Sequence, residues 1–261
     1  MFVLLGPNFD GTRDAYQRLA RATGLVSYDL KARIRPGFWG VVKLLGDARE
    51  AEALAESLRE LGFAPVLIER EVLHDSERRA VSVSSVRLEA TELVIELPDR
   101  VLHVPYQSLA VIVRGEVQPG RIATAANPSS GSLRAVVPGA EAAFVRDAQK
   151  LSFEGYQAAD LHFLEVPWIV RIGTRVLEHA GLEHGPRALD ALVDSIAERA
   201  GVRVDRGART SSVAAFVEQP APLRSINPTP QTLREQTDER FDPYSRVIGE
   251  AERQLRAAHI S

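Results

Sequence analysis

The sequence predicts an α+β fold in three parts. These are a small α/β domain over residues 1–72, an antiparallel, barrel-like β domain over residues 83–218 closed by a helix at 186–200, and a helical C-terminal tail. Three observations predict it. Up to Ile68, short apolar runs alternate with amphipathic stripes at helical spacing. From Val83 onward the pattern becomes short β runs broken by turn residues. One long stripe bounded by Pro186 and Gly201 follows, and then two proline-rich spacers.

In the first part, Phe2 to Leu5 reads as a buried strand stopped by Gly6-Pro7. Thr12 is a candidate N-cap for a helix whose face is Ala15, Tyr16, Leu19, Ala20 and Thr23, with Gly24 as C-cap. Val26 to Arg35 admits two readings. Val26, Tyr28, Leu30, Ala32 and Ile34 alternate as in a strand, whereas Val26, Leu30 and Ile34 are four apart, as in a helix capped by Ser27. Pro36-Gly37 ends it in both. Gly40 to Leu45 is a strand. Asp47 and Glu50 form a carboxylate capping box for a helix with stripe Ala51, Leu54, Leu58 and Leu61, stopped by Gly62. Pro65 to Ile68 is the closing strand.

This run of elements carries a resemblance. Thr23-Gly24-Leu25, the short basic segment with Lys31, the proline–glycine turn, the Ala/Glu/Leu helix ending at Gly62 and the last strand resemble the C-terminal domain of the ribosomal stalk protein, a fold shared by the Clp protease adaptor. The resemblance covers residues 1–70 and implies a helix over Val26–Arg35 and a habit of protein–protein contact. Tyr28 stands where that family has lysine and Arg33 where it has an apolar residue, so binding of translation factors does not carry over. The rival architecture is a ferredoxin-like βαββαβ unit.

Residues 73–82 are polar and read as a linker. Beyond it, Val86, Leu88 and Leu93–Ile95 suggest strands around a turn at Ala90–Glu92. Arg100–Val104 and Ser108–Arg114 continue the pattern. Pro119 to Gly139 reads as an exposed excursion and Ala140–Lys150 as a short helix. Asp160 to Gly173 is a strand pair or one long bent strand, with Pro167 at an edge or bulge. The helix after Pro186 has the stripe Leu189, Leu192, Val193, Ile196, Ala197 and Ala200. Meandering strands followed by one closing helix make residues 83–201 similar, in element order, to a pleckstrin-homology-like domain. The spacer and tail occupy residues 219–261. There Asp242-Pro243 starts a helix with the face Tyr244, Val247, Ile248, Ala251, Leu255 and Ala258.

The chemistry is narrowed mostly by exclusion. The 261 residues are 45% hydrophobic and 26% charged, which excludes an extended disordered polymer. A net charge of -3 offers no global basic field to nucleic acid or an anionic membrane. With no cysteine there is neither thiol catalysis nor a thiolate metal site. The N-terminal apolar run is too short for a signal, and no run reaches the ~20 residues of a membrane span. A cytoplasmic location is expected on that ground.

Glu178-His179-Ala180-Gly181-Leu182-Glu183-His184 is the densest ligand cluster, and His179, Glu183 and His184 are its candidate metal ligands. The two histidines are five apart across a glycine, which misses both the H-x-x-E-H and H-E-x-x-H spacings; a polar loop is the competing reading. No G-x-S-x-G elbow anchors Ser152, Ser195 or Ser245, and His103 and His162 sit in strand patterns. Gly6 to Gly11 has the position of a phosphate loop, but Asp10 places a negative charge in it. Lys31, Arg33, Arg35 and Lys43 with Phe38 and Trp39 form the densest basic–aromatic patch, set against a core role for Trp39.

The expectation is therefore a non-catalytic, two-domain protein-interaction or adaptor protein without cofactor. Its partner, another protein or a second copy, would dock through residues 229–261 at Tyr244, Val247, Ile248, Ala251 and Leu255. The alternatives are a metal-dependent enzyme or metal-binding regulator using the 178–184 cluster, and a binder of small ligands or lipid headgroups in the β domain.

Overall fold

The computed structural model describes residues 1–75, 78, 80–97, 99–117, 156–166, 168–174, 185–209, 211–217 and 241–260. The expected excursion at 119–139, the helix at 140–150, Pro167 and the 178–184 cluster lie outside them.

The first six elements are β1 (Phe2–Leu5), α1 (Arg13–Thr23), α2 (Ser27–Arg33), β2 (Gly40–Leu44), α3 (Ala48–Glu60) and β3 (Pro65–Ile68). They build a three-stranded antiparallel sheet in the order β2-β1-β3. Local chemistry sets the helix ends. Thr12 Oγ1 accepts from the Ala15 N–H at 3.2 Å, and Asp47 Oδ1 accepts from Arg49 N at 2.7 Å and Glu50 N at 3.1 Å. Gly24 closes α1 in the left-handed region, at φ 68°. Of the two readings for Val26–Arg35, the helix is the one formed, with Val26 rather than Ser27 in the cap position. Leu30 and Ile34 are thereby buried on one side, where a strand would have needed a neighbour to pair with.

The β region comprises β4 (Ala80–Ser82), β5 (Ser85–Leu88), β6 (Glu92–Glu96), β7 (Val101–Pro105), β8 (Leu109–Val117), β9 (Tyr156–Phe163) and β10 (Ile169–Gly173). Helix α4 (Pro186–Ala200), β11 (Val204–Asp205), α5 (Ser212–Val217) and α6 (Phe241–Ile260) follow. The antiparallel meander β5-β6-β7 forms one sheet, and β11-β8-β9-β10-β4 forms another in which both terminal strands pair in parallel. No pairing among the described residues closes these sheets into a barrel, so the class is α+β.

Two expectations about organisation change. The 73–82 linker is structured at both ends: a 3-10 turn runs through His74, and Ala80–Ser82 pairs with Ile169–Arg171. The first domain, moreover, keeps a core of its own between its sheet and helices α1–α3, where Val3, Leu5, Leu19, Leu30 and Leu58 are buried, but shares a second one with the rest of the chain. Phe2, Leu4, Val41, Val66 and Ile68 share one buried cluster with Val111, Val113 and Val117 of β8 and with Tyr244, Val247, Ile248 and Ala251 of α6. The reason is visible in β1. Val3 and Leu5 point at α1 and α3, while Phe2 and Leu4 point the other way. A four-residue strand apolar on both faces requires a layer on each side, and α6 supplies the second one.

Helix α6 is thus a middle layer between the two sheets. Its expected docking stripe is in the chain's own core: Tyr244, Val247, Ile248 and Ala251 are all 0% exposed, and Leu255 packs partly buried beside them. The expectation that this stripe docks a partner rather than forming core is corrected accordingly. A third cluster lies between the meander, the other face of β8–β9–β10 and α4, where Leu189, Val193, Ile196 and Ala197 are buried and Leu192 only partly.

Candidate functional site

The residues with catalytic chemistry converge where α6 crosses β9 and β10. Alternation along β9 puts Ala158, Asp160 and His162 on the face toward α6, and Ala159, Leu161 and Phe163 on the other. Arg171 is directly opposite Asp160 on β10. The arginine grips that carboxylate with two bonds, Nε to Oδ1 at 2.7 Å and Nη2 to Oδ2 at 2.8 Å, and Nη2 also reaches Asp242 at the start of α6. One turn on, Ser245 Oγ donates to Asp160 Oδ2 at 2.7 Å and lies 2.8 Å from His162 Nε2. Asp160 and Ser245 are 0% exposed, and His162 and Arg171 are 4%.

A serine, a histidine and an aspartate in contact invite a catalytic reading, and the bond order refuses it. The single hydroxyl proton of Ser245 goes to Asp160. Ser245 Oγ must therefore accept from Nε2–H of His162, which makes the imidazole a donor with its free lone pair on Nδ1. In a serine nucleophile the proton moves from serine to histidine, and the acid sits on the far nitrogen. Here the chain runs His to Ser to Asp, and all three are shut away from solvent. Burial pulls the His162 pKa down to about 4; Asp160 opposes the shift, while Arg253, Arg171 and Arg78 add to it. The ring is neutral at pH 7. Arg171 goes the other way: burial works against its charge, but Asp160 and Asp242 raise its pKa well above the usual value.

A second polar knot ties the first domain to α6. Trp39 Nε1 donates to Glu252 Oε1 at 2.8 Å, Arg203 bonds the same oxygen, and Arg203 also reaches Asp205 at 3.0 Å. The Tyr244 hydroxyl donates to Asp205. Its pKa is raised well above normal by burial and by that carboxylate.

The other expected sites are dispersed. Trp39 is 1% exposed, so the basic–aromatic patch loses its central stacking ring to the core. In the Gly6–Gly11 loop, Asp10 Oδ1 accepts from both the N–H and the hydroxyl of Thr12, filling the position an anion would take before α1. His103 is an exposed strand residue paired with Glu92 at 2.8 Å. No group of three metal-ligating side chains occurs among the described residues. A shallow groove lies between the meander and α4, where Arg199 donates to Glu89 O at 2.7 Å and stands over the Tyr106 ring. Among the described residues, the most exposed large hydrophobic side chains are both at the start of α2: Tyr28 at 82% and Val26 at 62%. No described helix is long and apolar enough to cross a membrane.

Sequence reasoning weighed His162 and Ser245 separately and missed that they meet. The signal available was the polar row Asp160, His162 on alternate positions of a strand whose neighbours are apolar. No family model, curated protein or solved structure matches the chain.

Proposed function

We propose that this chain is a non-catalytic protein-interaction or adaptor protein, and that its contact surface is the corner between α1 and α2. The observation that carries the reading is Val26 and Tyr28, two large side chains left mostly in water at the start of α2, on a unit that leaves no other large hydrophobic residue exposed. An exposed aromatic with an aliphatic neighbour gives a partner contact area at low entropic cost. Arg21, Lys31 and Arg35 are exposed around it, which suits a partner surface with an acidic rim. The order β-α-α-β-α-β and the helix at Ser27–Arg33 support the likeness of residues 1–70 to the stalk and adaptor domains. The meander followed by α4 likewise supports a pleckstrin-homology-like reading of the second part.

The test is affinity capture with the tagged full chain, comparing wild type with a Val26→Ser, Tyr28→Ser double variant. A partner held in stoichiometric amount by wild type and lost from the variant, at unchanged melting temperature, supports the surface. An identical captured set from both proteins overturns it.

A further inference from the structure

We infer that α6 is an acid-released latch: proton uptake by His162 undocks residues 241–260 from the β8–β9–β10 face while the sheets beneath stay folded.

The geometry is specific about where the proton must go. Nε2–H is already committed to Ser245, so a second proton can only enter at Nδ1. That edge of the ring is pressed against α6 at Gly249. A Cβ built on Gly249 would fall 2.0 Å from Nδ1 and 2.4 Å from Cε1, so the helix touches the imidazole where the new N–H would project. Protonation therefore adds both an atom and a charge where Gly249 of α6 meets the ring. The site has little solvent to absorb the charge, since His162 is 4% exposed and Ser245 is 0%.

The surroundings do not compensate. Asp160, the nearest carboxylate, is already gripped by Arg171 and bonded by Ser245. Arg171 on β10 also holds Asp242 of α6. Farther along α6, Glu250 is held between Arg78 and Arg253, and Arg78 also pairs with Asp75. On the β8 side, the residue facing His162 is Val111. Each of these carboxylates thus has an arginine, and Arg253, Arg171 and Arg78 disfavour an imidazolium.

The direction follows by linkage. Docked, His162 titrates near 4; in an undocked state it recovers the ordinary value of 6.5. The open state binds the extra proton between those values, so docking is intact above pH 6.5 and weakens as pH falls toward 4. From pH 7 to pH 5 the opening equilibrium rises roughly 20-fold.

Hydrogen exchange on the full-length chain, corrected for the intrinsic pH dependence of exchange, tests this. Expected is a rise of that order in opening of 241–260 from pH 7 to pH 5, with protection in α4 and the β5–β7 meander unchanged, and its disappearance in His162→Gln. Unchanged protection of α6, an equal rise in every element, or the same rise in His162→Gln overturns the latch. Should His162→Gln fail to fold, the ring proton shifts of His162 in wild type decide. A midpoint coinciding with α6 opening sustains the proposal, and titration without opening, or opening without titration, ends it.

Discussion

The indole N–H of Trp39 donates to Oε1 of Glu252 at 2.8 Å, with both residues almost wholly buried and 213 positions apart. This bond joins the residue just before β2 to the last helix, and Arg203 shares the same carboxylate oxygen. Trp39→Phe removes the donor and keeps most of the apolar volume. The expected loss is about 1–3 kcal/mol of unfolding free energy, because Arg203 still satisfies Glu252. Urea denaturation of both proteins measures it, and an unchanged midpoint would show that the bond contributes nothing.

Gly249→Ala sets two effects against each other. Helix propensity alone predicts a gain of about 1 kcal/mol at an interior glycine. The methyl, however, would arrive 2.0 Å from Nδ1 of His162, and forcing the ring aside costs about 1–3 kcal/mol and disturbs its bond to Ser245. Net destabilisation is expected. A variant that melts higher than wild type would mean the helix and ring are not in contact.

Within α4, Leu192 and Ile196 belong to the same sequence stripe but not to the same environment. Ile196 is 0% exposed and Leu192 only partly buried. Ile196→Ala should cost ~2–5 kcal/mol, and Leu192→Ala clearly less. Equal losses by thermal or chemical denaturation would contradict this packing.

Deleting residues 229–261 removes Tyr244, Val247, Ile248 and Ala251 from the cluster that also holds Phe2, Leu4 and Val113. The truncated protein should aggregate or melt well below the intact chain, because the first sheet and β8 lose the layer they share, and at pH 7 the intact chain should unfold in one transition rather than two. A truncated monomer melting like wild type would return α6 to the role of a detachable docking segment. Limited proteolysis gives a parallel reading: Ala80–Ser82 is tied to β10, so two stable fragments divided at 73–82 are not expected.

What the sequence by itself determined is the set of features whose causes are local. The caps at Thr12 and Asp47, the stops at Gly24 and Gly201, and the stripes of α1, α3 and α4 depend on residues within one or two turns, so they are legible without knowing the fold. The face of α6 was legible in the same way, as the residues that must be buried. Which surface buries them was decided only by the tertiary structure. Two sheets each present an apolar face, and α6 fills the space between them. The same packing turned the row Asp160, His162 from a solvated strand face into a sealed polar seam. Their partner Ser245, and Asp242 which shares Arg171 with Asp160, are more than 70 residues away, and no local pattern specifies a bond across that distance.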